Sequence, residues 1–120
     1  MIEVKHLTKR YGKHTAVDDI SFTVQDGCIY GLLGPNGAGK STTLNTIGGL
    51  LKPRSGSVEF EGASLLGTAP HKIVSKGMAL CPEGRRVFLQ LSVQENLEMG
   101  AFIKKAVDPQ DLEMVFQLFP

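Results

Sequence analysis

Residues Gly34 to Ser41 read Gly-Pro-Asn-Gly-Ala-Gly-Lys-Ser, which fits the phosphate-loop pattern Gly-x-x-x-x-Gly-Lys-Ser/Thr. The spacing has a chemical reason. A polyphosphate needs several backbone N–H groups pointing inward around it. A Cβ at the tight positions would block that approach and disfavour φ > 0, so Gly34, Gly37 and Gly39 suit the loop. Lys40 offers a compact ammonium to the β- and γ-phosphates, and Ser41 a hydroxyl to Mg²⁺. A helix starting near Gly39 would add its dipole and unpaired N–H groups.

The motif needs a strand before it and a helix after it. The apolar run Cys28-Ile29-Tyr30-Gly31-Leu32-Leu33 suits a buried strand. Thr42 to Leu51 follows, with Leu44, Ile47 and Leu51 at helical spacing. Upstream, residues 2 to 7 alternate as a half-buried strand, except that Leu7 falls out of phase with Ile2 and Val4. Gly12 marks a turn in a polar stretch. Val17, then Ile20, Phe22 and Val24, read as a second strand, and Gln25-Asp26-Gly27 as a tight turn. Tyr11 stands before that second strand. It could stack on an adenine base, although the residues alone favour a packing tyrosine in a turn.

Downstream, Pro53 and Gly56 close the helix, and Ser57 to Gly62 alternate as a short strand. Thr68-Ala69-Pro70 starts a short helix running to Lys76, with Thr68 as a possible cap. Gly77 to Cys81 reads as a buried strand stopped by Pro82. The charged loop Pro82 to Phe88 follows. Ligands collect beyond the carboxyl ends of strands in open α/β sheets, so Glu83 is a site candidate. Ser92 to Glu95 forms a capping box, with Val93, Leu97 and Ala101 on one face of the helix it opens. Asp108-Pro109 starts the last helix, whose Leu112, Val115, Phe116 and Phe119 make an apolar stripe.

The chain has 120 residues, enough for at most one small domain. Thirteen Lys and Arg against twelve Asp and Glu leave a charge of +1, which gives no support for nucleic-acid binding or a membrane-surface patch. The first seven residues do not read as a signal peptide, and no run is long enough for direct membrane insertion. The two cysteines, Cys28 and Cys81, sit in apolar runs as expected buried hydrophobes, and the reduced cytoplasm is the simplest compartment. His6, His14 and His71 show no metal-ligand spacing.

Together the loop at 34–41, the Tyr11 position, Pro53-Arg54-Ser55-Gly56-Ser57-Val58 and the Glu83 loop resemble the ATP-binding-cassette (ABC) transporter ATPases. The resemblance spans residues 1–120 but only the first half of such a nucleotide-binding domain. Residues 48–103 resemble the ATPase subunits of branched-chain amino acid importers, through Cys81 to Phe88 and Ser92 to Leu97. Residues 1–47 resemble a general exporter-type cassette, so a mosaic is one reading. The implied fold is α/β, a partial P-loop NTPase fold: an N-terminal antiparallel β subdomain leading into an incomplete parallel sheet flanked by helices.

The resemblance implies ATP and Mg²⁺ as cofactors. It places Tyr11 against adenine and Gly34, Asn36, Gly37, Ala38, Gly39, Lys40, Ser41 and Thr42 around the phosphates, with Ser41 on Mg²⁺. Glu83 stands where most of the family has a glutamine that touches Mg²⁺ and the attacking water. The implied partners are a second cassette and transmembrane permease subunits, at the inner face of the plasma membrane.

The Leu-Ser-Gly-Gly signature, the Asp-Glu pair after four apolar residues, and the switch histidine do not occur. The chain therefore reads as truncated before them, with little hydrolysis expected from it alone. Unpaired edges in mid-sheet would favour self-association, strand exchange or partial disorder of residues 77–120. Two alternatives stay open. One is a non-catalytic fragment or assembly module. The other is another P-loop NTPase, against which stand the absent Asn-Lys-x-Asp and the short Arg85-Arg86.

Overall fold

A computed structural model describes residues 1–84 and 86–120. It divides into two units, Met1–Leu80 and Cys81–Pro120.

The first unit is built on a hairpin. Strand β1 (Ile2–Tyr11) pairs antiparallel with β2 (His14–Val24). Gly12, at φ 57, makes the tight turn between them, so Tyr11 ends a strand rather than lying in the turn. Strands β3 (Ser55–Phe60) and β4 (Ala63–Ser64) complete a four-stranded sheet in the order β2-β1-β3-β4. All three pairings are antiparallel. Between β3 and β4, Glu61 and Gly62 both take positive φ, 50 and 77, as the tightest hairpin turns require.

The phase slip at Leu7 is a bulge. His6 sits at φ 50, and the β1–β2 register shifts between Val4 and Leu7. One extra residue restores Leu7 to the core face beside Val4. Asp19, at φ 48, does the same on β2, where Val17 and Ile20 are three apart. Side chains satisfy the backbone groups there. His6 N–H donates to Ser21 Oγ at 2.8 Å, and Asp19 N–H to Thr8 Oγ1 at 3.0 Å. The His6 Nδ1 and Asp19 Oδ1 atoms pair at 2.7 Å.

Helices α1 (Lys40–Ile47) and α2 (Pro70–Ser75) add Ile47 and Ile73 to the core, and the segment after β4 adds Leu65. Val4, Leu7, Val58, Ile47, Leu65 and Ile73 form one buried cluster. The face α1 buries is Thr43, Thr46 and Ile47, whereas Leu44 is exposed. The two threonines can be buried because their hydroxyls donate to carbonyls one turn back, Thr43 to Gly39 at 2.8 Å and Thr46 to Thr42 at 2.7 Å. At α2 the cap is Ala69, with no side-chain bond, and not Thr68; Pro70 takes the first helical position.

Three sequence expectations are corrected. The run Cys28–Leu33 pairs with no strand, and Ile29 and Leu33 are fully open to solvent. Gly77–Cys81 likewise forms no strand, so no parallel sheet exists among the described residues. Cys28 and Cys81 are both exposed rather than buried. An apolar run states a preference for burial. It becomes a strand only where a ladder partner takes its N–H and C=O groups.

The second unit holds α3 (Val93–Gly100) and α4 (Pro109–Leu118). The capping box is present: Glu95 N–H donates to Ser92 Oγ at 3.1 Å, and Ser92 N–H to Glu95 Oε2 at 2.7 Å. Asn96 ties the preceding loop down, donating to the carbonyls of Phe88 and Ser92 and accepting from Phe88 N–H at 2.8 Å. Asp108 caps α4 through Gln110 N–H, with Pro109 at the first position. On the two expected apolar faces, Val93, Phe116 and Phe119 are exposed.

Replacing Ser92 with alanine should cost α3 about 1 kcal/mol, seen as reduced helicity by circular dichroism. The Ser92 backbone N–H, and then its hydroxyl, hold the Glu95 carboxyl below its ordinary value of 4.5. A lowered folded value means the contribution is present above 4.5 and is lost as pH falls through the lower, folded value. Helicity should therefore drop in acid below that ordinary value, and Glu95→Gln should flatten the drop.

Candidate functional site

The loop between the Cys28–Leu33 run and α1 contains a tight turn. Ala38 N–H donates to the Pro35 carbonyl at 3.1 Å, closing a turn over Asn36 and Gly37. Gly37 sits at φ 85 and Gly39 at φ 90, conformations that side chains resist. Gly34 does not need that freedom. A Cβ there would stand 3.2 Å from the Ala38 Cβ, so its demand is for space.

Gly39 meets both demands. It is the N-cap of α1, with φ 90 and ψ 13. A Cβ on it would strike the Ala16 carbonyl oxygen and lie 3.3 Å from Val17 Cγ2. The loop's last glycine therefore rests directly on β2, and this contact sets where α1 begins. Thr43 locks the same corner, since both its N–H and its hydroxyl donate to the Gly39 carbonyl.

Lys40 opens α1, and its Nζ folds back to donate to the Gly34 carbonyl. The ammonium thus spans the loop. Ser41 and Thr42 follow in the first turn, with Ser41 exposed and Thr42 half-buried. No Asp or Glu stands between Asp26 and Glu59, while Lys40, Lys52 and Arg54 do. A helix N-terminus, a cation and glycines at positive φ, with no acid in the same stretch, fit a phosphate group. Among the described residues no cluster of three His, Cys, Asp or Glu could hold a metal alone, so Mg²⁺ here would depend on the phosphates it accompanies.

Tyr11, at the end of β1, is 48% exposed, with the Lys9 ammonium over its ring. Glu83 belongs to the second unit, in a bend directly after Pro82. Arg85 of the same loop lies outside the described residues.

Sequence reasoning missed two supports. Tyr30 stacks on Phe22 with centroids 5.3 Å apart and planes 14° from parallel. This aromatic pair, not a strand ladder, fastens the run leading into the loop onto β2. Thr43 was the other. The paired aromatics, and a threonine four residues beyond Gly39, were the signals available.

A family model described as ABC transporter matches residues 17–118. The branched-chain amino acid transport ATP-binding protein BraG of Pseudomonas aeruginosa is 44% identical over 121 residues, covering 100% of this chain and 52% of that one. The similarity thus runs through residues 1–47 as well as 48–103. The lipopolysaccharide export ATP-binding protein LptB of Haemophilus influenzae is 34% identical over 110 residues, covering 92% of this chain and 46% of its own length. Among solved structures, an ATP-binding subunit of an ABC transporter superposes with a TM-score of 0.79 at 32% identity, over 95% of this chain and 46% of that one. The chain spans about half the length of these relatives. On the fold, the loop and these matches, the chain belongs to the ABC transporter family.

Proposed function

We propose that residues 1–120 are the ATP-binding portion of an ABC transporter ATPase subunit of branched-chain amino acid import type. The observation that carries the nucleotide reading is the corner at Gly39. It fixes a glycine loop and a lysine at the start of α1 through a contact with β2. The import reading rests on the likeness to BraG; the likeness to LptB shows that related chains serve export.

In this reading Gly34, Asn36, Gly37, Ala38 and Gly39 present backbone donors to the phosphates. Lys40 neutralises charge on them, and Ser41 and Thr42 face them from the first turn of α1. Tyr11 stacks on the adenine. Ser41 would take the Mg²⁺ that travels with ATP, with Glu83 a second candidate toward it. The metal would supply charge neutralisation between phosphate oxygens. The partners would be a second cassette and permease subunits, which would bring the protein to the inner face of the plasma membrane from the cytoplasm. No described helix is long and apolar enough to cross a membrane.

Hydrolysis also needs a base and further metal ligands, and these residues contain no Asp-Glu pair after an apolar run. The expected result is therefore Mg-ATP binding with negligible turnover by this chain. Turnover that disappears in Lys40→Ala would contradict it. The exposed Ile29 and Leu33 favour a second reading, an assembly module that binds nucleotide weakly. Titration with Mg-ATP separates the two: saturable binding supports the first, and its lack supports the second.

A further inference from the structure

Lys9 has no place in the motif, yet it touches two parts of the site's surroundings. Its Nζ lies 5.0 Å from the Tyr11 ring centroid, over the ring. The same Nζ donates to the Lys52 carbonyl at 2.7 Å, in the connection between α1 and β3. Arg54 N–H bonds the Thr8 carbonyl at 2.8 Å, so this junction is held by backbone as well. No carboxylate pairs with Lys9 among the described residues. Its ammonium is therefore spent on an aromatic face and a carbonyl, not on a surface ion pair.

A cation held over one ring face fixes the ring plane and occupies that face. Tyr11 remains half exposed, which leaves ring surface for a planar partner. We infer that Lys9 is a positioning residue for the nucleobase: clamped between the Lys52 carbonyl and the Tyr11 ring, it holds that ring so that a purine stacks on the other face. The inference rests on the base-stacking reading of Tyr11.

The test is titration of the 120-residue chain with Mg-ATP and, separately, with magnesium tripolyphosphate, which lacks a base. Lys9→Met should weaken ATP about threefold to fivefold and leave tripolyphosphate unchanged. Lys9→Arg should restore ATP affinity, since a guanidinium also stacks on aromatic faces. In a Tyr11→Ala background, Lys9→Met should add nothing. Lys9→Gln replaces the methionine variant if that one does not fold. Equal losses for ATP and tripolyphosphate would overturn the inference, because they would mean a simple charge effect. So would an unchanged ATP affinity in Lys9→Met while Tyr11→Ala lowers it. If Tyr11→Ala itself leaves ATP affinity intact, the base-stacking reading fails, and this inference with it.

Discussion

Replacing Lys40 with alanine should lower the affinity for Mg-ATP about tenfold to a hundredfold. A hydrogen bond to a charged group contributes about 1.5–3 kcal/mol, which converts to that range. The lysine sits at the start of α1 and spans the loop to the Gly34 carbonyl, so its charge is already placed over the glycine turn. The fold should lose little, because that single bond is exposed. Thermal melting monitored by circular dichroism should show the variant folded, and calorimetric titration should show the weakened binding. Lys40→Arg should fall between the two, since a planar fork cannot replace a compact ammonium in a tight turn. Unchanged affinity in Lys40→Ala would place the nucleotide elsewhere.

Replacing Gly39 with alanine should destabilise the first unit and disable the loop together. The left-handed backbone costs a side chain about 1–2 kcal/mol. Collision with the Ala16 carbonyl adds to it, for an expected total of about 2–4 kcal/mol. Gly37→Ala is the control. It has a similar φ of 85, but nothing lies within 4 Å of the added Cβ. It should therefore cost only the conformational part, about 1–2 kcal/mol. Urea midpoints of the two variants measure the difference. Equal losses would mean that the Gly39 contact with β2 does not hold the loop.

The backbone of the loop was legible because its constraints are local. Gly37 and Gly39 take positive φ within a few residues of each other, and spacing records that. The caps at Ser92 and Asp108 were legible for the same reason. The Leu7 phase slip was visible, but its cause was not. The His6 bulge is fixed by Ser21, Thr8 and Asp19, which reach it only once β1 and β2 have paired.

The run Cys28–Leu33 shows the opposite failure. Its apolar character suggested a buried strand, but hydrophobicity does not supply a ladder partner, and the run is held by the Tyr30–Phe22 stack instead. Thr43 is buried and Leu44 exposed for a related reason. Periodicity places the leucine on the apolar face, yet a threonine whose hydroxyl bonds back to Gly39 satisfies its polar atom and can be buried. The residues alone favoured a packing tyrosine in a turn for Tyr11; the strand instead runs through it, with Lys9 over its ring.

The central claim is that the backbone of residues 34–42 forms the phosphate site within this chain. Titrating the isotopically labelled chain with Mg-ATP while following its backbone amides by nuclear magnetic resonance tests it directly. The expected result is saturable shifts that are largest at Gly37, Gly39, Lys40 and Ser41 and small at the α3 cap around Ser92. No saturable shift in 34–42, in a chain whose remaining spectrum is that of a folded protein, would contradict it.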